Sequence, residues 1–414
     1  MNGMGRSLTP EAVKKLLIFL YTAKTRQSVL LLGPPGIGKS VLVREVAEEM
    51  ARAAGKTFFP YEQLDGERLA DIYARPDRYF VFVDLRLTET EPVDLLGRPV
   101  TVTVAEHKQV VYQPPQWAAL LAVAPGILFL DELTNVHRPD VLAAAYKLIQ
   151  DRAAGFTRFS AGVQVVAAAN RPEDSTLANP LPAPLVNRVY CVEVEPPSLA
   201  EWAVWMAAHQ PGYDQKVLAY LYRFPDDFCR VPAEGETLEG YPTPRSFTSL
   251  ARDLPAAADA GLDQDALRVL CLAALGGEVG EKFFAFWQHP VPSYEELLAE
   301  PGLFGRLGVD EQYMATVIIG QGLAARVEEQ SRHTAAGPEA GSLRAVLRDT
   351  VAPCIPLLDV MGDTSREYLA LLWYIVGHRL AKPWREAVYL EMCDRSDVVR
   401  KAYTSVGSLL RWPA

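Results

Sequence analysis

Residues Gly33-Pro34-Pro35-Gly36-Ile37-Gly38-Lys39-Ser40 match the pattern G-x-x-x-x-G-K-[ST]. Residues of these types at this spacing can cradle a phosphate chain. The glycines let the backbone curl so that its N–H groups point inward, and a following helix presents its positive end. Lys39 adds a point charge suited to β- and γ-phosphates, and Ser40 offers a hydroxyl to a magnesium ion. Val41 continues into the helix and completes the candidate nucleotide-binding set Gly33–Val41. A glycine-rich turn that binds nothing is the competing reading. The flanks argue against it: Ser28 to Leu32 is an apolar strand-like run, and Val41, Leu42, Val46, Ala47 and Met50 recur at helical spacing.

A second group of chemical residues lies about 90 positions on. Gly126 to Leu130 leads an apolar run into Asp131 and Glu132. A strand end there would place Asp131 beside the phosphate loop, where it can hold magnesium through water. Glu132 would then face the γ-phosphate and polarise an attacking water. An ordinary acidic strand terminus is the bland alternative, and only the pairing with the upstream loop gives these residues weight. Val163 to Ala169 ends in Asn170, an amide able to hydrogen-bond that water or the γ-phosphate without adding charge; an asparagine that merely begins a turn is the alternative. Arg188 stands just before the apolar stretch Val189–Val194. Arg245 falls in the first turn of a helix that starts at Thr243-Pro244, where a cation opposes the helix dipole, so a phosphate partner is worth considering.

These groups must be positioned by a frame that the apolar pattern outlines. Residues 9–27 begin with Thr9 as N-cap and Pro10 at the first helical position. Strands are expected at 57–62 and 79–85, with a polar stretch at 65–78 between them. Residues 86–116 read as an insert: Pro99–Val104 alternates like an exposed strand and Lys108–Tyr112 returns as its hairpin partner. A short apolar helix is expected at 117–124, a longer one at 135–149, and a tight excursion at 151–162. Pro196-Pro197 marks a boundary, after which the pattern turns helical: 199–208, 217–222, a helix from 243, within 265–289 an apolar helix and then the glycine-rich stretch Gly276–Gly280, then 311–330 and 365–380. Phe283, Phe284, Phe286 and Trp287 sit at helical spacing and read as core rather than as a stacking platform. Pro290–Ser293 reads as a linker, 229–239 and 333–341 as polar loops, and Pro383 as a break before a last helix at 384–402.

Composition bounds the partners. The chain has 414 residues, 49% of them hydrophobic, enough for two or three domains with real cores. A net charge of -10 does not suggest a free duplex-binding surface, so nucleic acid is not the expected partner. Five isolated cysteines fit reduced thiols and a cytoplasmic location, and no leader is visible. The longest apolar runs are far short of a membrane span, and six scattered histidines give no metal cluster.

Gly33–Ser40, Leu130-Asp131-Glu132, Asn170 and Leu181–Arg188 together resemble an AAA+ ATPase, more narrowly the MoxR group. The insert at 86–116 is similar to the helix-2 insertion of MoxR, magnesium-chelatase, McrB-like and midasin-like ATPases, and the excursion at 152–162 to the hairpin before sensor 1. The likeness covers about 25–290; no family module matches the residues beyond. It implies an α/β P-loop core with a parallel sheet at 1–195, carrying the insert, then an all-helical lid at 196–290 and a helical C-terminal extension at 291–414. It also implies ATP and Mg2+ as cofactors, with Asn170 as sensor 1, Arg188 as the arginine finger that reaches a neighbour's γ-phosphate, and Arg245 as sensor 2. Arg171 and Arg152 compete with Arg188 for the trans role. The implied assembly is a homo-oligomeric, hexameric ring that remodels or matures a client protein or a partner with a von Willebrand factor A domain. Two other classes remain open. One is a McrB-like nucleic-acid motor; no N-K-x-D motif reads guanine, and the insert region mixes Arg86, Arg98, His107 and Lys108 with Asp84, Glu89, Glu91, Asp94 and Glu106. The other is a nucleotide-gated scaffold with little hydrolysis, which an intact Glu132 opposes.

Overall fold

The apolar runs ahead of Pro197 pair into one parallel sheet, because each is buried on both faces by the helices that connect it. The computed structural model describes residues 7–25, 27–171, 179, 181–230, 239–333 and 340–406. In chain order come β1 (Ser7–Leu8), α1 (Pro10–Thr22), β2 (Ser28–Leu32), α2 (Lys39–Ala53), β3 (Thr57–Pro60), α3 (Gly66–Ala74), β4 (Tyr79–Arg86) and α4 (Pro92–Leu96). Then follow β5 (Arg98–Val104), β6 (His107–Gln113), α5 (Gln116–Val123), β7 (Gly126–Asp131), α6 (Pro139–Asp151), β8 (Ala153–Ala154), β9 (Thr157–Arg158), β10 (Val163–Ala169), α7 (Ala183–Val186) and β11 (Val189–Val194). The sheet order is β1-β11-β2-β10-β7-β4-β3, with every pair parallel.

Period-two alternation splits the strands between two faces. Leu30, Val81, Val83, Leu128, Leu130, Val165 and Ala167 pack with Trp117, Leu120 and Leu121 of α5 and Ala145 and Leu148 of α6. On the opposite face Phe82 stacks on Phe129 at 6.5 Å, Tyr21 of α1 meets Phe80 edge-on at 5.6 Å, and Arg44 of α2 lies over Phe82. The polar stretch 65–78 contains α3, whose start is fixed by Asp65 Oδ1 accepting from Arg68 N at 2.7 Å. That helix buries little beyond Ile72, which is why apolar periodicity does not announce it. The strand expected at 57–62 stops at Pro60 and gives way to a 3-10 turn. The insert forms a two-stranded antiparallel ribbon, β5 with β6, apart from the main sheet, and β8 and β9 make the second small hairpin.

A second compact unit starts at Ser198. Its helices are α8 (Leu199–His209), α9 (Gln215–Arg223), α10 (Pro244–Asp259), α11 (Gln264–Leu275), α12 (Gly277–Trp287), α13 (Tyr294–Ala299), α14 (Val309–His333), α15 (Ala340–Val351), α16 (Ile355–Thr364), α17 (Arg366–Arg379), α18 (Lys382–Arg395) and α19 (Asp397–Val406). The apolar helix and the glycine-rich stretch expected within 265–289 resolve into α11 and α12, which meet at Gly276, φ 78°. The break expected at Pro383 falls at Leu380 and Ala381, between α17 and α18. Pro383 itself sits in the first turn of α18, where a missing N–H is harmless. A second break at Ser396, extended in backbone, divides the expected last helix; Ser396 Oγ accepts from Val399 N at 3.0 Å and starts α19. Most of the polar loops read at 229–239 and 333–341 lies outside the described residues. Among the described residues no helix is long and apolar enough to cross a membrane.

The aromatics of α12 are core: Phe283 and Phe286 meet Tyr220 edge-on at 5.2 and 5.5 Å. Tyr220 also donates to Asp227 Oδ2 at 2.6 Å, and Lys282 Nζ donates to the same oxygen at 2.7 Å. This core draws on the chain beyond residue 290, since Met314 and Val317 of α14 and Ile375 of α17 are buried in it, and Val291 packs against it. Three fully buried side chains of that size contribute roughly 5–9 kcal/mol, comparable with the whole stability of a domain. Truncation after residue 290 is therefore expected to abolish cooperative unfolding of the remaining second-unit helices, read by circular dichroism against temperature. A sharp helical transition in the truncated chain would show instead that the later helices are a separable adaptor.

Candidate active site

The phosphate loop is launched from the carboxyl end of β2, between β10 and β11. Gly33 N donates to Ala169 O at 3.3 Å, and a Cβ on Gly33 would lie 2.7 Å from Val194 O, so a side chain has no room there. Gly38 takes a φ of 92° and caps α2 without a side chain. The first N–H groups of α2 thus face the loop rather than a capping oxygen, an arrangement that suits an anion. Ile37 is buried, whereas Val41 is exposed beside the loop.

Lys39 is drawn in under this loop. Its Nζ donates to Gly33 O at 2.7 Å, Pro34 O at 2.9 Å and Asn170 Oδ1 at 3.1 Å. Asn170 is itself held from behind: its N–H donates to Thr134 Oγ1 at 3.0 Å, and Thr134 Oγ1 donates to Asn170 O at 3.1 Å. Ser40 Oγ donates to Asp131 Oδ2 at 2.7 Å, and the other oxygen of Asp131 accepts from Glu132 N at 2.9 Å. Glu132 sits in left-handed backbone, φ 60° and ψ 34°, and Thr88 Oγ1 donates to its Oε2 at 2.9 Å. The structure therefore forms two hydrogen-bonded groups, Lys39 with Asn170 and Ser40 with Asp131 and the Glu132 backbone, joined through the adjacent residues Lys39 and Ser40.

Thr88, Thr134 and Asp84 join the site without having been singled out in the sequence. Thr88 is one polar residue in a polar run, and Thr134 follows the acidic pair in a loop; only the fold shows what they touch. Asp84 lies on β4, beside β7, with its Oδ1 buried and lacking a hydrogen-bond partner. Burial, and then the charge of Asp131, push its carboxyl up to about 6.

The donor set fits a magnesium ion. A hydroxyl and a carboxylate meet at 2.7 Å, and a further acceptor oxygen stands unpaired nearby. Among the described residues no three His, Cys, Asp or Glu side chains gather to hold a metal alone. A cation held here would complete its shell with phosphate oxygens and water, as Mg2+ commonly does.

The candidate arginines are dispersed. Register Val189↔Ser28 puts Arg188 at the amino edge of the parallel sheet, whereas the phosphate loop leaves the carboxyl edge at Leu32. The five-residue β2 spans roughly 16 Å, so Arg188 is remote from its own loop. Arg188 is exposed and its Nη1 donates to Gln150 Oε1 at 2.6 Å. Arg171 follows Asn170 at the carboxyl edge, 3.9 Å from Glu193 Oε2. Arg152 turns back to Thr25 O at 3.4 Å. Arg245 is the second residue of α10 in the second unit and is exposed.

Residues 29–189 match the family model described as "ATPase family associated with various cellular activities (AAA)". Among solved structures, the chain is similar to the Aeropyrum pernix Orc1 protein in complex with DNA, at 13% identity and a TM-score of 0.36, over 85% of this chain and 83% of that one. It is also similar to the Thermotoga maritima RuvB Holliday junction branch migration motor, at 18% identity and a TM-score of 0.31, over 70% and 81%. A third, the C. elegans PCH-2 protein, shows 13% identity and a TM-score of 0.26 over 66% of each chain. Likenesses of this size say nothing about substrate. No curated protein matches the chain significantly.

Proposed function

We propose that the P-loop AAA+ core carried by this chain, whose domain type implies ATP binding and hydrolysis at a general level, works as a MoxR-like ATPase. In this reading copies of the chain form a ring, hexameric by the resemblance, and ATP turnover drives remodelling or maturation of partner proteins. The observation that carries the reading is the joining of Lys39, Ser40, Asp131, Glu132 and Asn170 at the carboxyl edge of one sheet. Lys39 exchanges its carbonyl partners for β- and γ-phosphate oxygens. Ser40 and Asp131 hold magnesium, which when bound neutralises phosphate charge. Glu132 orients a water and takes its proton, with Thr88 holding the second carboxylate oxygen. Asn170 donates its amide toward the γ-phosphate while Thr134 keeps its backbone in place. The sensor 2 role of Arg245 rests on the resemblance alone.

Arg188 is assigned to the neighbouring subunit's site. What supports this is the sheet register, which sets it about 16 Å from its own loop's edge and leaves it on the surface. Arg171 supports the role less, since it stands at its own site's edge, while Arg152, which donates to Thr25 O just ahead of β2, stays a competitor. A protein client, or a partner with a von Willebrand factor A domain, is favoured by the resemblance and by the insert ribbon. There Val110, Val111 and Tyr112 are exposed, and Tyr112 meets the exposed Phe156 of the β8–β9 hairpin at 5.5 Å. Mixing tests the shared site. Arg188→Ala and Glu132→Gln subunits should each be inactive alone and recover ATPase activity when mixed, because some interfaces then pair an intact Glu132 with an intact Arg188. No recovery at any ratio, with assembly verified by light scattering, would refute the trans role.

A further inference from the structure

We propose that Asp84 is a positioning residue for the magnesium site: its carboxylate accepts a hydrogen bond from a water on the ion that Ser40 and Asp131 hold. This rests on the nucleotide-site reading given above and adds to it a residue from a neighbouring strand.

Asp84 is placed by the sheet. It follows Phe82 by two residues on β4, so both point to the face that α2 covers. Its register partner on β7 is Phe129, and Asp131 lies two residues further along the same face. One strand spacing across and two residues along separate the two positions by roughly 8 Å. For side chains that leave the same face in parallel, that spacing leaves room for a chain of carboxylate, water, ion and carboxylate.

The Oδ1 of Asp84 is buried and has no hydrogen-bond partner. The neighbouring cations Arg86 and Arg44 favour its charge from a distance, but their ion pairs are with Glu89 and Glu62. A strand that packs Phe80 and Phe82 on this face could carry an apolar residue at position 84 and avoid burying an unpaired oxygen next to a second carboxylate. Such a group is a burden in the metal-free protein. Its burden is lifted when a divalent ion and its waters stand before Asp131. Partners that orient the shell of a metal in this way typically change its affinity 10- to 100-fold, on the order seen for hydrogen bonds behind direct ligands.

The test uses Mn2+ in place of Mg2+, read by electron paramagnetic resonance on the full chain with a non-hydrolysable ATP analogue. Asp84→Asn is expected to weaken Mn2+ binding in the nucleotide complex by roughly 10- to 100-fold. Binding of the analogue without metal should hold, and the metal-free melting temperature should rise. Asp84→Glu, which keeps the carboxylate, should retain most of the Mn2+ affinity. Mn2+ affinity of Asp84→Asn within twofold of the unsubstituted chain would overturn the proposal. So would equal losses in both variants accompanied by a lowered melting temperature, which would mark a role in folding. If the unsubstituted chain itself bound no nucleotide-dependent Mn2+, the site reading beneath the proposal would fail, and that outcome is distinct from the other two.

Discussion

Replacing Lys39 with alanine is expected to remove nucleotide binding at micromolar protein concentration. The ammonium group is held at the centre of the loop by Gly33 O, Pro34 O and Asn170 Oδ1. It is 9% exposed, so its charge acts across a poorly solvated gap. Two charge-assisted bonds to phosphate oxygens contribute roughly 3–6 kcal/mol, which corresponds to a loss of about 100- to 10,000-fold in affinity. The alanine variant also leaves two loop carbonyls without the donor that shapes them, so the cradle itself should loosen. Fluorescence polarisation with a labelled ATP analogue measures the loss, and an unchanged melting temperature of the nucleotide-free protein would assign it to the site rather than to folding. Equal affinity in both proteins would remove Lys39 from the phosphate cradle.

Glu132→Gln is expected to have the opposite split, with nucleotide binding retained and turnover lowered by about 100- to 10,000-fold, the range associated with losing a general base. The backbone of Glu132 is left-handed, a conformation costing roughly 1–3 kcal/mol for a residue with a side chain. The sheet end and the hydrogen bond from Glu132 N to Asp131 Oδ1 hold it there, and Thr88 fixes the carboxylate. Glutamine fits the same space and still accepts from Thr88, but it cannot take a proton from water. A phosphate-release rate within threefold of the unsubstituted chain would show that another group activates the water.

The phosphate loop was legible because its chemistry depends on residue types at fixed spacing, and its flanking strand and helix carry their own patterns. Strands buried on both faces, such as β4, β7 and β10, stood out as apolar runs for the same reason. The β5–β6 ribbon could be read from its alternation although every described residue of β6 is exposed. Helix α3 escaped because it buries one residue, and α18 and α19 merged because Ser396 looks like any helical serine until its cap is seen. Asp84 and Thr88 escaped for a deeper reason. Each meets the acidic pair across more than 40 positions of sequence, through a strand register that local patterning does not specify. The same register separates Arg188 from its own loop, a fact that no spacing along the chain contains. Likewise Pro290–Ser293 reads as a linker, yet Val291 packs against the apolar clusters on both sides.

The most direct measurement of the central claim is the identity of the nucleotide bound after incubation with ATP and Mg2+, determined by rapid separation, acid quench and chromatography. The unsubstituted chain should carry ADP, Glu132→Gln should carry intact ATP at similar occupancy, and Lys39→Ala should carry neither. Intact ATP on the unsubstituted chain, with no phosphate released over many minutes, would contradict hydrolysis at this site and leave a nucleotide-gated scaffold in its place.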